Sequence, residues 1–355
     1  MTIVILGLSI TSSWGNGHAT TYRSLMRELA YRRHDVLFLE RDVPWYSQNR
    51  DLPQPPYGRT ELYSSLADLE SRFASEIRHA DLVMVGSYVP EGVAAGRWVL
   101  DHATGVTAFY DIDTPITLAK LEQDDCKYIA RDLIPDYQLY LSFTGGPTLA
   151  RVQREFGSPL ARVLYCSVDP SIYFPEKMQL RWDLGYLGTY SSDRQRFLDC
   201  LLLETAHRRP QAHFVVAGPL YPADIPWPSN VQRIEHLPPA EHRHFYNAQR
   251  ATLNLTRAEM LRAGYSPSVR LFEAAACAIP IISDEWEGLD TLFRPNEQIL
   301  VARCPEDVLH YLYDMAPEKL KAVGEAARER VLAEHSAHHR AVQLEGYVAE
   351  VLERG

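Results

Sequence analysis

The chain has 355 residues, of which 46% are hydrophobic, and a formal net charge of −10. This length exceeds what one core usually organises and predicts two domains, while the acidic balance argues against a nucleic-acid-binding surface. The five cysteines are odd in number and widely spaced, which argues against a disulfide framework or a zinc ribbon and favours reduced thiols in the cytoplasm. No apolar run approaches the ~18 residues of a membrane span.

Strands and helices alternate along the chain, which is typical of parallel sheets that carry helices on both faces. In the first half we expect strand 2–8, helix 20–32, strand 35–40, helix 64–78, strand 82–86, helix 94–102, strand 106–110, strand 137–142 and helix 147–156. In the second half we expect strand 183–187, helix 194–208, strands 213–217 and 231–235, helix 241–247, strand 251–254, a helix beginning at Ser268, strands 279–283 and 299–301, and a helix over 336–354. The Pro- and Tyr-rich stretch between residues 42 and 63 is longer than a usual connection, so we expect a lid or an acceptor-side loop there.

A glycine-rich loop that ends in a histidine follows the first predicted strand. Its residues, Trp14-Gly15-Asn16-Gly17-His18, stand where doubly wound folds bind their ligands. Thr20 replaces the third glycine of the dinucleotide fingerprint, so a nicotinamide cofactor is weakly supported. The imidazole of His18 could take a proton from a hydroxyl near neutral pH. A histidine that only caps the following helix would fit the same sequence.

Two carboxylates, Asp111 and Asp113, follow the predicted strand 106–110. Either of them could orient His18 and stabilise its protonated form. The Asp-x-Asp pair could instead bind a divalent metal on a diphosphate. In a third interpretation, one aspartate caps the next helix and the other is solvated.

Two stretches in the second half combine a polar turn with an arginine. Gly188-Thr189-Tyr190 and Arg194 follow a strand and open a helix, which suits a phosphate cradle, although an ordinary strand-to-helix turn would look alike. The helix that begins at Ser268 would offer an anion the N–H groups of its first turn and the charge of Arg270. Glu273 could accept hydrogen bonds from vicinal hydroxyls. An N-capped amphipathic helix is the alternative.

This helix resembles the nucleotide-sugar-binding helix of glycosyltransferases with the GT-B fold. The resemblance rests on a Glu-Ala-x-Ala-x-x-x-Pro pattern and on further motifs that are similar, in order along the chain, to the spore-maturation (CgeB-like) branch of these enzymes. The pattern consists of Glu273, Ala274, Ala276 and Pro280, and the other motifs are Ser13–His18, Glu40–Tyr46, Val168-Asp169-Pro170, Gly185–Tyr190, Asp284, Leu289, Phe293 and Asn296-Glu297. Tyr265 stands where related retaining enzymes carry a second glutamate, so a retaining or inverting outcome is not carried over.

The resemblance implies an α/β architecture of two Rossmann-like domains that face each other across a cleft. We expect an acceptor-side domain over residues 1–164 and a nucleotide-sugar-binding domain over residues 165–335. The final helix, 336–355, is expected to pack back on the first domain.

The resemblance also implies roles for individual residues. Inverting members often place a Gly-His pair at the head of the first helix, so His18 would be the general base, assisted by Asp111 or Asp113. The residues expected to bind the donor are Gly15, Asn16, Gly17, Gly188, Thr189, Tyr190, Arg194, His236, Leu237, Ser268, Val269, Arg270 and Glu273. The resemblance implies no metal, because GT-B enzymes usually work without one, and no cofactor, with a UDP- or dTDP-sugar as co-substrate.

The expected function is therefore transfer of a hexose-type sugar to an acceptor hydroxyl. A nucleotide-sugar 2-epimerase of the same fold, or a catalytically silent nucleotide-sugar-binding protein, are the alternatives. The expected partners are the donor and an unidentified hydroxyl-bearing acceptor, without nucleic acid or an integral membrane segment, in the cytoplasm.

Overall fold

The computed structural model describes residues 1–354 and divides the chain into two compact units. The first unit comprises Met1–Cys166 and Ala337–Gly355, and the second unit comprises Ser167–Ser336. The last helix therefore belongs to the same unit as the first strand.

In the described residues of the first unit, seven parallel strands form a sheet in the order β3-β2-β1-β4-β5-β6-β7. Residues 3–6 of the first strand are all buried, because helices cover both faces of such a sheet. The strand order reverses between β1 and β4, and doubly wound folds bind ligands at the carboxyl ends of strands beside such a reversal. The strands are β1 (Thr2–Gly7), β2 (Asp35–Arg41), β3 (Arg59–Tyr63), β4 (Leu82–Gly86), β5 (Val106–Asp111), β6 (Leu139–Ser142) and β7 (Ala161–Val163).

The helices of the first unit connect these strands and cover the sheet. They are α1 (Ala19–Tyr31), α2 (Pro44–Ser47), α3 (Leu66–His79), α4 (Gly92–His102), α5 (Thr114–Glu122), a 3₁₀ helix at Arg131–Asp136, and α6 (Pro147–Phe156). The stretch between residues 42 and 63 is not the open loop that we expected. It contains α2 and the edge strand β3, which pairs in parallel with β2 from Leu37↔Arg59 to Arg41↔Tyr63.

The described second unit repeats the architecture with six parallel strands in the order β10-β9-β8-β11-β12-β13. Its strand order reverses between β8 and β11. The strands are β8 (Trp182–Leu187), β9 (Phe214–Ala217), β10 (Val231–Ile234), β11 (Gln249–Asn254), β12 (Ile281–Ser283) and β13 (Leu300–Val301). The helices are α7 (Ser192–Leu198), α8 (Glu204–Arg208), α9 (Pro239–Asn247), α10 (Ala258–Ala263), α11 (Val269–Ala276), α12 (Leu289–Leu292), α13 (Pro305–Leu309) and α14 (Pro317–Glu334), with π-helical turns at Asp199–Leu203 and His310–Asp314.

The last helix, α15 (Ala337–Arg354), packs on α1 within the first unit. Glu345 accepts hydrogen bonds from Arg32 (2.7 and 2.8 Å) and lies 2.7 Å from Nε2 of His34. The buried Arg340 donates from Nε to the backbone oxygen of Tyr165 at 3.0 Å. These contacts attach α15 to the rest of the first unit. Within residues 1–354, none of the helices combines the length and apolar character required to cross a membrane.

Candidate functional site

A buried carboxylate, Glu40 at the end of β2, holds the loop that follows β1. Glu40 is fully buried and accepts hydrogen bonds from the backbone N–H of Ile10 (2.7 Å) and from the hydroxyls of Ser9 (3.0 Å) and Thr11 (2.6 Å). A buried carboxylate is tolerated when such donors compensate its lost hydration. The loop is therefore fixed before it reaches the glycine-rich turn.

The turn Gly15-Asn16-Gly17 delivers His18 to the start of α1. Gly15 has a φ of +60°, a conformation that favours glycine. The buried Asn16 donates to the backbone oxygen of Ser9 (3.2 Å) and accepts from the N–H of His18 (3.2 Å), so its side chain shapes the turn. His18 occupies the N-cap position without a side-chain capping bond. The imidazole therefore does not cap α1 through a hydrogen bond.

His18 meets Asp113 at the carboxyl ends of β1 and β5. Nε2 of His18 lies 3.8 Å from Oδ2 of Asp113, and the two side chains are 29% and 14% exposed. The imidazole also lies beside the ring of Phe143, with centroids 5.7 Å apart. The separation is longer than a hydrogen bond. A carboxylate at this position can orient an imidazole and stabilise its protonated form.

Asp111 differs from this pair in having no solvent exposure. It is fully buried and accepts hydrogen bonds from the hydroxyls of Tyr140 (2.5 Å) and Thr117 (2.8 Å) and from the N–H of Asp113 (3.2 Å). Burial raises the pKa of Asp111 to about 6, although these hydrogen bonds oppose the rise. Of the two aspartates expected to assist His18, Asp113 lies beside the imidazole, whereas Asp111 is buried and bound by its neighbours; their catalytic roles stay predictions. No cluster of three or more His, Cys, Asp and Glu side chains suited to a metal ion occurs among residues 1–354.

In the second unit, the turn after β8 brings backbone close to two side chains. A Cβ atom on Gly188 would lie 2.6 Å from the hydroxyl of Tyr186 and 2.9 Å from Nη2 of Arg270, so only glycine fits without a shift. The hydroxyl of Tyr221 donates to the backbone oxygen of Gly188 (3.2 Å), and Tyr190 N–H donates to that of Pro219 (3.0 Å). The turn is therefore pinned by its neighbour after β9.

Arg270 lies in the first turn of α11 and joins the ends of β8 and β11. It is 8% exposed, donates from Nε to the backbone oxygen of Leu187, and donates from Nη1 to Oδ1 of Asn254 (2.8 Å). Ser268 holds the N-cap position of α11, but its hydroxyl donates to the same Asn254 oxygen (2.8 Å) rather than to the helix backbone. Arg270 thus supports the backbone of the turn after β8, and its Nη2 would lie 2.9 Å from a Cβ atom on Gly188.

Two further arginines flank Asp193 at the start of α7. Arg194 donates from Nη2 to the backbone oxygen of Thr189 (2.5 Å), and Asp193 accepts from the N–H of Ala258 (2.7 Å) at the start of α10. Burial opposes ionisation of Asp193, but hydrogen bonds from Ser191 and Ala258 and the charges of Arg257 and Arg194 leave its pKa below the ordinary value. The Nε atoms of Arg194 and Arg257 are buried without a hydrogen-bond partner within residues 1–354. Arg194 therefore lies at the turn after β8, and Arg257 lies beside Asp193 at the start of α7.

Glu273 lies one turn further along α11 in a polar cluster. It is 3% exposed and accepts a hydrogen bond from the hydroxyl of Tyr246 (3.1 Å), while Nδ1 of His242 lies 3.5 Å from the same carboxylate oxygen. Nε2 of His242 lies 3.2 Å from the backbone oxygen of Leu237. His242 therefore links Glu273 to the partly buried segment His236-Leu237 after β10. Val269, the first residue of α11, is also partly buried.

Three residues with evident positions in these sites were absent from the sequence-based set. They are Arg257 after β11, Tyr88 after β4, whose hydroxyl donates a hydrogen bond to Asp113 (2.8 Å), and His242 within α9. The first two follow the carboxyl ends of strands beside a reversal of strand order, which is a signal that a sequence reading could have used. His242 carries no comparable signal, because its role depends on which helix packs against α11.

A protein-family model described as glycosyl transferase-like matches residues 194–346. This match begins at Arg194 and includes Arg257, Arg270 and Glu273. Among curated proteins, none matches the chain significantly.

Several solved structures are similar to the chain at low sequence identity. Sucrose-phosphate synthase from Thermosynechococcus elongatus matches with a TM-score of 0.73 and 14% identity over 100% of both chains. HepE of Anabaena in complex with UDP and glucose matches with a TM-score of 0.74 and 12% identity over 99% of this chain and 100% of that one. An alpha-glucosyltransferase in complex with UDP matches with a TM-score of 0.75 and 11% identity over 98% of this chain and 100% of that one. The likeness confirms the expected fold class, two Rossmann-like α/β units of GT-B type, whereas the CgeB-like branch stays a prediction.

Proposed function

We propose that the protein is a glycosyltransferase that moves a sugar from a nucleoside-diphosphate sugar to an acceptor hydroxyl. The observation that carries this proposal is that Arg194 and Arg270 both contact the turn after β8, with Arg257 beside Asp193, in the same unit as Glu273. A leaving nucleoside diphosphate gains negative charge during transfer, and oriented N–H groups and arginines stabilise such charge. The matched glycosyl transferase-like region and the fold of the similar structures support the same reaction class.

In this proposal the second unit binds the donor. Arg194 and Arg257 contact the diphosphate, Arg270 holds the turn and contributes Nη2, and Glu273 accepts hydrogen bonds from the ribose hydroxyls. Because two of the similar structures contain UDP, UDP-glucose is the first donor to test.

His18 is proposed to be the general base. With Asp113 beside Nε2, the other ring nitrogen takes the proton of the acceptor hydroxyl, and the carboxylate stabilises the resulting imidazolium. The acceptor oxygen then bonds to the anomeric carbon while the bond to the leaving diphosphate breaks.

Transfer is proposed to need no divalent metal. The reason is one of charge: the arginines beside the Gly188 turn can offset the charge of a leaving diphosphate, and both oxygens of Asp111 already accept hydrogen bonds from neighbouring hydroxyls.

Nucleotide binding tests the donor site. UDP at a hundredfold excess over its Kd should stabilise the protein by about 2.7 kcal/mol in a thermal unfolding assay. Arg194→Gln should lose most of this stabilisation, because it removes a cation beside the turn. Arg196→Gln is the matched control, since Arg196 lies on the same helix but is exposed. Equal UDP binding by Arg194→Gln and wild type would contradict the donor site.

Product analysis tests the reaction itself. Release of UDP from UDP-glucose that depends on an added sugar acceptor, and that persists in excess EDTA, is the expected result. Conversion of the donor to its 2-epimer would identify an isomerase, and binding without turnover would identify a silent binding protein. Loss of activity in EDTA with recovery in Mn²⁺ would contradict the metal-independent mechanism.

A further inference from the structure

Tyr88 has an unusual backbone conformation at the carboxyl end of β4. Its φ is +65°, a left-handed value that is an outlier for a bulky side chain. Such conformations are costly and cluster at functional sites, where surrounding contacts maintain them. Its neighbour Ser87 is held by the end of β5, because Ser87 N–H donates to the backbone oxygen of Tyr110 (3.0 Å) and its hydroxyl accepts from Ile112 N–H (3.1 Å).

The conformation directs the hydroxyl of Tyr88 to Asp113. This hydroxyl donates to Oδ2 of Asp113 at 2.8 Å, and Oδ2 is the same atom that lies 3.8 Å from Nε2 of His18. Burial, followed by the negative charge of Asp113, raises the pKa of Tyr88 far above its ordinary value. The hydroxyl therefore remains protonated and remains a donor throughout the physiological pH range.

The ring of Tyr88 is held from two other sides. It packs against Tyr128 with centroids 4.6 Å apart, and Nζ of Lys120 lies 5.8 Å from the centroids of both rings. The hydroxyl of Tyr128 lies 2.9 Å from that of Thr117, which donates to Asp111. Tyr88 is thus fixed by α5 and by the loop after it.

We propose that Tyr88 is a positioning residue that holds the Asp113 carboxylate beside His18. The inference rests on the proposed function insofar as His18 is the general base. It adds a residue to the site that acts through Asp113 and touches neither donor nor acceptor.

The charged and titratable groups around the Asp113 carboxylate set the direction of the expected effect. They are His18 at the head of α1, Tyr88 after β4, Asp111 at the end of β5, Lys120 on α5, Tyr128 after α5, and Tyr140 on β6. Removing the Tyr88 hydroxyl takes a hydrogen bond from the carboxylate while the other groups stay in place. Without that hydrogen bond the carboxylate is no longer held beside His18, so the opposite charge stabilises protonated His18 less.

An NMR titration of the His18 ring measures this coupling without any enzymatic turnover. Tyr88→Phe should lower the proton affinity of His18 by about threefold or more, with the His18 signal assigned by its loss in His18→Ala. Tyr63→Phe is the matched control, because it removes a buried hydroxyl of the same unit that has no hydrogen-bond partner among residues 1–354. An unchanged or raised His18 proton affinity in folded Tyr88→Phe would overturn the proposal.

Kinetics provide the second measurement. Tyr88→Phe should lower kcat about tenfold or more, move the acidic limb of the kcat/KM profile to lower pH, and leave donor affinity unchanged. A lower kcat with an unmoved acidic limb would indicate a merely structural role and overturn the proposal. If wild type transfers no sugar, the proposed function fails, and the titration still decides whether Tyr88 acts on His18 through Asp113.

Discussion

The chemistry proposed for His18 can be separated from nucleotide binding, because His18 and the arginine cluster belong to different units. His18→Ala should lower turnover by roughly 10²–10⁴, as expected for loss of a general base. UDP affinity should remain close to that of wild type, because the donor is proposed to bind the second unit. Turnover is measured as acceptor-dependent UDP release, and affinity by thermal unfolding.

His102→Ala controls for the loss of an imidazole in the first unit, since this partly buried ring contacts the backbone oxygen of Trp98 (2.8 Å) at the end of α4. Turnover of His18→Ala within a factor of two or so of this control would show that the imidazole is not the base.

At the residue scale, the sequence indicated a carboxylate pair after β5 but not that the two aspartates have different surroundings. Residues i and i+2 share a face only while the strand continues. The strand ends at Asp111, and Asp113 is already the N-cap residue of α5, with φ −143° and ψ 49°. The change of backbone direction between them leaves one aspartate buried and the other beside His18. Such a change depends on tertiary packing, which the pattern of residue types does not contain.

At the scale of elements, the turn after β8 works only if its first residue has no side chain. Gly188→Ala would place a Cβ atom 2.6 Å from the hydroxyl of Tyr186 and 2.9 Å from Nη2 of Arg270. To relieve these contacts, the backbone or the side chain of Arg270 has to move. We therefore expect UDP affinity to fall about tenfold or more and the free energy of unfolding to fall by about 1–3 kcal/mol.

Gly346→Ala is the control for Gly188→Ala, because a Cβ there meets no atom within 4 Å and α15 should gain about 0.5–1 kcal/mol from replacing glycine. Both variants are compared by thermal unfolding with and without UDP. Wild-type UDP affinity in Gly188→Ala would mean that the turn does not approach the diphosphate.

Most strands and helices were predictable from alternation and apolar runs, because buried parallel strands leave a strong pattern. The edge strand β3 was missed, since an edge strand is only partly covered and its residues 59–62 are exposed or half-buried. The predicted helix 194–208 corresponds to α7, a π-helical turn and α8 in direct succession. A π-helical turn widens the spacing locally without a sequence signal as clear as proline or glycine.

At the scale of the whole molecule, Glu345 connects residues from opposite ends of the chain. Hydrogen bonds from Arg32, assisted by His34, lower the pKa of Glu345 to about 2. A carboxylate with a lowered folded-state pKa contributes stability above its unfolded value and loses that contribution as pH falls toward the folded value. Glu345→Gln should therefore lower the free energy of unfolding at pH 7 by about 1–3 kcal/mol, a range reduced because the side chain is 26% exposed.

The pH dependence checks this assignment. The difference between wild type and Glu345→Gln should shrink as the pH is lowered from about 5 toward 2, in denaturant unfolding at a series of pH values. Glu353→Gln on the same helix is the control, because Glu353 is exposed. A difference that stays constant down to pH 3 would show that the contact with Arg32 and His34 is not electrostatic.

The return of α15 to the first unit has a consequence for synthesis of the chain. Residues 167–336 are translated between the two parts of the first unit, and their ends lie side by side, since Val168 and Ser336 form a parallel bridge. At ribosomal rates of about 5–20 residues per second, this interval lasts roughly 10–30 s. During that time α1 has emerged without its partner helix, while the second unit can close on itself. The part of the chain that is made first is thus completed last, and the inserted unit is the first that can reach its finished fold.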